Sequence, residues 1–160
     1  MRSLILTLSL LIAGPTMASV DTLKELCALD SFHDEEQAYE KNFTETDTLD
    51  IRKVQSLSEK ELNMVNAYLI GEDFTTQALS FPEIQALFVG DGDLAYNDLH
   101  LITFKSNSSG LVYTQILSWP GDNPVGLIFD RLTGKAVAHN SDDSISLLAE
   151  KGEIWCGDLK

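Results

Sequence analysis

From Leu94 onward the chain is a succession of short apolar runs separated by turn sequences, and this alternation limits the folds open to it. Strand-forming segments joined by such short connections pair as antiparallel neighbours. The sequence therefore predicts a meander of four or more strands. The predicted strands are Leu99 to Phe104, Leu111 to Trp119, Val125 to Phe129, Ala136 to His139 and, as a candidate last strand, Ile145 to Leu148.

The residues before this region favour helices. Leu23, Leu26 and Leu29 recur at helical spacing from Val20 onward, with a break near Ser31. The polar segment from residue 44 to residue 50 is typical of a loop. The helices and the later meander together predict an α+β domain, in which N-terminal helices pack on one face of a C-terminal antiparallel sheet.

A second helix has the clearest boundaries. Ser58 and Glu61 have the spacing of a capping box, and Gly71 can adopt the left-handed conformation that ends a helix. We therefore predict a helix over residues 58–70. Pro82 suits the first turn of a short third helix through Leu87, although a strand through residue 89 fits the same segment.

The first 18 residues resemble a secretory signal peptide. Arg2 precedes an apolar stretch too short to span a bilayer, and small residues lead to a predicted cut after Ala18. No lipid-attachment box precedes Cys27, so we expect no membrane anchor. Residues 19–160 would then form a single domain, secreted or periplasmic. The alternative is an uncleaved N-terminal helix.

The chain has two cysteines, Cys27 and Cys156. In an oxidising compartment such a pair favours one structural disulfide. There is no C-x-x-C motif that would indicate redox catalysis. We predict a bond that staples the two ends of the mature chain.

Acidic side chains dominate the composition. The chain has 25 acidic and 11 basic residues, a formal charge of -14, which becomes -15 when Arg2 leaves with the signal peptide. Nucleic-acid binding needs clustered Lys and Arg, and this charge argues against it. Such a charge would instead steer the protein toward a basic secreted or periplasmic protein.

One loop has the composition of a recognition segment. Trp119 precedes Asp122 and Asn123 between two prolines, which limit the unbound conformations and so reduce the entropy lost on binding. Aromatic residues are favoured at binding hot spots, so we predict Trp119 and Tyr113 as anchors. The alternative is a stiff connection with Trp119 buried.

A second loop could hold a cation. Asp91 and Asp93 have the alternate spacing with which calcium loops begin, but Ala95 and Ile102 occupy positions where such a loop needs oxygen ligands. A Gly/Asp turn explains the same residues. Calcium is therefore a secondary expectation, and no other cofactor is expected.

The sequence has no complete catalytic motif. His33, His100 and His139 are the candidate bases, and no nucleophile elbow accompanies them. Asn42 and Asn107 each begin a glycosylation sequon. These features predict an acidic exported binding protein, most plausibly an inhibitor or immunity-type antagonist of a basic enzyme or toxin. The alternatives are a small exported hydrolase using His100 or His139, and a small-molecule or calcium carrier.

Overall fold

The computed structural model describes residues 19–31, 41–89, 98–118, 125–141 and 144–159. Within these ranges the helices are α1 (Val20–Leu23), α2 (Glu59–Gly71) and α3 (Phe81–Ala86), with 3₁₀ helices at Lys24–Ser31 and Cys156–Leu159. The α+β prediction is confirmed. No helix of the described ranges is both long and apolar enough to cross a bilayer.

A seven-stranded antiparallel sheet forms the centre of the fold, and its strand order follows the chain order from β1 to β7. The strands are β1 (Phe43–Asp50), β2 (Leu99–Ser106), β3 (Val112–Ser118), β4 (Val125–Asp130), β5 (Ala136–Ser141), β6 (Ser144–Ala149) and β7 (Gly152–Trp155). The five predicted strands correspond to β2–β6. These strands were recognisable because they are rich in apolar residues, which face buried clusters on both sides of the sheet.

The two faces of the sheet carry separate hydrophobic clusters. Along β2, Leu101 belongs to a cluster with α2 and α3, whereas Phe104 belongs to a cluster with the N-terminal 3₁₀ helix. Side chains on a strand alternate between faces, so the two clusters lie on opposite sides. We call them the α2 face and the N-terminal face. The N-terminal segment thus packs on one face, and the later helices cover part of the other.

Helix α2 begins as its sequence predicts. The Ser58 side chain accepts a hydrogen bond from the Glu61 amide, and the Glu61 carboxylate accepts one from the Ser58 amide, which completes the capping box. Its end differs from the prediction. Gly71 is the last helical residue, and the left-handed residue is Asp73, with φ of 58°. Asp tolerates this conformation because its short polar side chain bonds locally.

The chain ends are joined by the predicted disulfide between Cys27 and Cys156, whose Cα atoms are 5.3 Å apart. Leu26 on the N-terminal 3₁₀ helix and Cys156 are both buried in the cluster of the N-terminal face. The predicted helix is therefore α1 followed by a 3₁₀ helix that ends at Ser31. A disulfide of this kind indicates an oxidising environment outside the cytoplasm.

Two strands escaped prediction, one at each edge of the sheet. Residues 44–50 form most of β1 rather than a loop, although five successive side chains of this strand are exposed. A strand that packs so few side chains lacks the apolar alternation from which strands are recognised. Strand β7 is only four residues long. Exposed charges on an edge strand discourage pairing with another chain.

Gly126 is required by the close approach of β3 and β4. A Cβ at this position would lie 2.0 Å from the carbonyl oxygen of Ile116, a distance no side chain can occupy. Glycine in a strand often marks such an approach of two backbones. Because Gly126 has no side chain, β3 and β4 can pair closely up to the residues that precede and follow segment 119–124.

Candidate functional site

The register of the sheet places the strand ends that flank the predicted recognition loops at one end of the sheet. Ser118 pairs with both Leu99 and Val125, and Ser141 pairs with Ser144. The chain therefore enters β2, passes from β3 to β4 and passes from β5 to β6 at this end, which we call the loop end. The turns after β2, β4 and β6 lie at the opposite end, the turn end.

Most of the predicted partner and metal residues lie outside the described residues. These are Trp119, Asp122 and Asn123 in the β3–β4 connection, and Asp91 and Asp93 before β2. Their roles stay predictions. His33 also lies outside the described ranges. Among the residues that the structure does describe, no group of three His, Cys, Asp or Glu could hold a metal ion.

Basic side chains surround Asp50 at the loop end. The Lys53 Nζ atom lies 2.8 Å from one carboxylate oxygen of Asp50, and the amide of Arg52 donates to the other at 3.0 Å. The guanidinium of Arg52 also pairs with Asp98. Burial opposes the charge on Asp50, but these hydrogen bonds and positive charges outweigh it and lower its pKa. This site is internally neutralised by cations.

The C-terminal end of α2 reaches the same end of the sheet. Glu72, which caps the helix, places a carboxylate oxygen 3.3 Å from Nε2 of His139 on β5. One turn earlier, burial raises the pKa of Tyr68 to about 12. Of the two histidines proposed as catalytic bases, His139 therefore has a carboxylate partner.

No nucleophile accompanies this pair among the described residues around it. Ser146 lies directly across from His139 on β6, but it is 1% exposed and its hydroxyl donates to Glu153 at 3.2 Å. His100 lies on the opposite face of the sheet, paired with Asp50 and Leu117. The described residues therefore do not bring together a nucleophile, a base and an orienting group for covalent catalysis.

Tyr113 is a core residue, and the structure does not place it on a binding surface as we had predicted. Its side chain is 1% exposed, and its hydroxyl donates to Glu25 at 2.6 Å. Strand alternation directs it to the cluster of the N-terminal face. Burial, followed by the bond to Glu25, raises the pKa of Tyr113.

Glu25 is enclosed by hydroxyl groups at the turn end. Besides Tyr113, the side chains of Ser106, Ser108 and Ser109 all donate to its carboxylate at 2.7–3.0 Å. Burial opposes the charge, but these four donors outweigh it and lower the pKa of Glu25. The arrangement fastens the N-terminal 3₁₀ helix to the β2–β3 turn, and it is structural.

The second sequon is part of the same turn. The amide of Asn107 donates to the carbonyl oxygen of Lys41 at 3.1 Å, and its oxygen accepts from Thr44 at 2.8 Å. A glycan on the Asn107 nitrogen would have to displace the first of these bonds. Asn42 is exposed and immediately precedes β1.

Trp155 is a surface residue that sequence analysis missed. It lies on the edge strand β7, is 47% exposed and immediately precedes the disulfide residue Cys156. Glu153, two residues earlier, faces the same side. A short alternation of Glu, Ile and Trp before a cysteine was the only signal available, and β7 is too short to be recognised from it. Comparison of the chain with known protein families, curated proteins and solved structures gives no match, so its function must be inferred from its own residues.

Proposed function

We propose that this protein is an exported acidic binding protein that antagonises a basic enzyme or toxin outside the cytoplasm. The disulfide supports the compartment, because such bonds persist in oxidising environments. A signal peptide over residues 1–18 and processing near Ala18 are part of this proposal. The loop residues Trp119, Asp122 and Asn123 remain the proposed contacts at the loop end.

The distribution of charge is the observation on which this proposal depends. Within the described ranges, most basic side chains are already engaged by the protein: Lys24, Arg52, Lys53 and Arg131 form ion pairs, and Lys60 donates to two carbonyl oxygens. By contrast, many exposed acids in these ranges form no ion pair. They are Glu45, Asp47, Glu59, Asp73, Glu83, Glu150, Glu153 and Asp158.

An uncompensated surface charge of this kind accelerates association with a cationic protein. Electrostatic steering raises association rates by one to three orders of magnitude at low ionic strength, and salt removes the gain. Basic secreted enzymes such as lysozymes and nucleases are the class of partner that such a field would attract. An anionic partner would be repelled.

The test is a low-salt binding screen of the mature protein against a panel of basic secreted enzymes, with acidic proteins of similar size as controls. We expect stoichiometric inhibition of at least one basic enzyme and an association rate that falls as salt rises. If no basic enzyme is retained at low salt, the proposal is wrong. Trp119→Ala and Asp122→Asn then test the contribution of the loop.

A hydrolase is the second candidate, and the contact between Glu72 and His139 favours it. A carboxylate beside a histidine can orient the ring as a general base. Activity screening of the mature protein would support this function if His139→Ala abolishes turnover while His100→Ala does not. Turnover that survives both substitutions would exclude these bases.

A further inference from the structure

We propose that the part of the α2 face around Trp155 binds arginine or lysine side chains of a basic protein partner. This inference rests on the function proposed above. It adds a second binding surface, separate from the loop residues. We call this area the Trp155 surface. Its residues are Glu72, His139, Ser146, Glu153 and Trp155.

The sheet register places these residues side by side. Ser146 on β6 pairs with His139 on one side and Trp155 on the other, so all three point to the α2 face. Neighbouring strands are about 4.8 Å apart, which puts His139 and Trp155 about 10 Å from each other. Glu72 contacts His139, and Glu153 accepts a hydrogen bond from Ser146.

Within the described ranges, helices α2 and α3 pack over the other strands of this face. The buried cluster under α2 and α3 draws on β2, β3 and β4, and it includes no described residue of β6 or β7. Glu153 and Trp155 are correspondingly exposed. Glu153 and Trp155 at the edge of the sheet are thus accessible to a partner, Glu72 and His139 are partly exposed, and Ser146 is buried.

Trp155 is a preorganised anchor. Its backbone belongs to β7, and the adjacent Cys156 is 4% exposed and covalently tied to Cys27. Binding to a residue whose backbone is already fixed loses less conformational entropy. Tryptophan is also among the residues most often found at the energetic centres of interfaces.

The charges select a cationic partner. Two carboxylates, Glu72 and Glu153, lie on the Trp155 surface, and the sequences of β5, β6 and β7 contain no Lys or Arg. A guanidinium or ammonium group can stack on the indole while a carboxylate pairs with it. A second copy of this chain would instead bring like charges together, since each copy has a formal charge of -14.

The first experiment uses tryptophan fluorescence. The chain has two tryptophans, so Trp119→Phe leaves Trp155 as the only one. This variant is titrated at low salt with the peptide Gly-Arg-Gly-Arg-Gly and with its Glu counterpart. We expect a saturable change in Trp155 emission with the arginine peptide alone. No change at any concentration would overturn the proposal.

Matched variants separate a specific contact from general charge attraction. Calorimetry with the arginine peptide should show about three- to tenfold weaker binding for Trp155→Ala, partial recovery for Trp155→Phe, and weaker binding for Glu153→Gln. Glu59→Gln removes the same charge from the exposed first turn of α2 and should leave the affinity unchanged. Equal losses for Glu153→Gln and Glu59→Gln, or tighter binding of a neutral oligosaccharide, would overturn the proposal.

A basic enzyme identified in the screen distinguishes this inference from the proposed function. At least tenfold weaker inhibition by Trp155→Ala supports both. Unchanged inhibition overturns the Trp155 surface and leaves the function standing. Specific peptide binding without inhibition of any basic enzyme overturns the function and leaves the surface standing. Dimerisation that Trp155→Ala abolishes, measured by light scattering, would assign the surface to a second copy instead.

Discussion

The two ends of the sheet stabilise partly buried carboxylates in different ways. At the turn end, Glu25 is held by four neutral hydroxyl groups from Tyr113 and the β2–β3 turn. At the loop end, Asp50 is held largely by the positive charges of Arg52 and Lys53. The comparison teaches that a strongly acidic chain need not use its few cations for every partly buried acid, because hydroxyl donors stabilise a carboxylate without them.

Among the interactions that hold the N-terminal segment, which includes Glu25, we expect the disulfide to contribute most to the free energy of unfolding. Replacing both Cys27 and Cys156 with Ala should lower the free energy of unfolding by about 2–5 kcal/mol, because the unfolded chain regains the freedom that the long closed loop removes. Denaturant unfolding measures the loss. Reduction of the wild-type protein is the control and should give a similar value. An unchanged midpoint would show that the Glu25 site alone is sufficient to hold the N-terminal segment.

Removal of the Glu25 carboxylate should be the next largest effect. Glu25→Ala leaves the buried Tyr113 hydroxyl without its acceptor and should cost about 1–3 kcal/mol. Thermal and denaturant unfolding measure it, with Glu150→Ala as the control, since Glu150 is exposed in the β6–β7 turn. Equal stabilities of the two variants would contradict the structural role of Glu25.

Acid should remove the contribution of Glu25 in a defined direction. Its pKa is lowered in the folded protein, so the unfolded chain binds the proton more readily. The stabilisation is therefore present above the ordinary glutamate pKa of about 4.5 and is lost as pH falls through the lowered value. The stability difference between wild type and Glu25→Gln should shrink below about pH 4.5. A difference that stays constant down to about pH 2 would mean that ionisation of Glu25 does not matter.

The smallest expected effect is a difference in salt dependence between the Asp50 and Glu25 sites. Asp50→Asn should cost about 0.5–1 kcal/mol at low salt, because Lys53 is largely exposed and such pairs are weak. Raising the salt to about 1 M screens these charges and should reduce that cost, whereas the cost of Glu25→Gln should change little. Asp47→Asn, which alters an exposed acid on β1, is the control. The same salt dependence at both ends would remove the distinction between them.

The elements that could be predicted from the sequence are those whose physical signal lies within a few neighbouring residues. The start of α2 was predictable because its capping box lies within four residues, and β2–β6 were predictable because their apolar residues face buried clusters. Strand β1 was not, because it is held by backbone pairing with β2 rather than by buried side chains. That pairing joins residues fifty or more positions apart, on either side of α2 and α3.

The site residues divide in the same way. The disulfide was predictable because only two cysteines were available. The hydroxyl groups around Glu25 were not, because the serines of the β2–β3 turn are about eighty residues from Glu25 in the chain. Tyr113 has the composition of a binding anchor but sits where strand alternation turns it into the core. Trp155 could be recognised as a candidate binding residue only from the strand register, which places it beside Ser146.

The bond between Cys27 and Cys156 also determines when oxidation can occur relative to the synthesis and folding of the chain. A ribosome or a translocation pore delivers the chain from its N-terminus, and Cys156 follows Cys27 at a sequence separation of 129. The meander can pair strand by strand as it emerges, since its spatial order is its chain order. Covalent closure must wait until Cys156 has been delivered, and this cysteine follows the last strand of the sheet, so the bond can form only after all the strands have emerged.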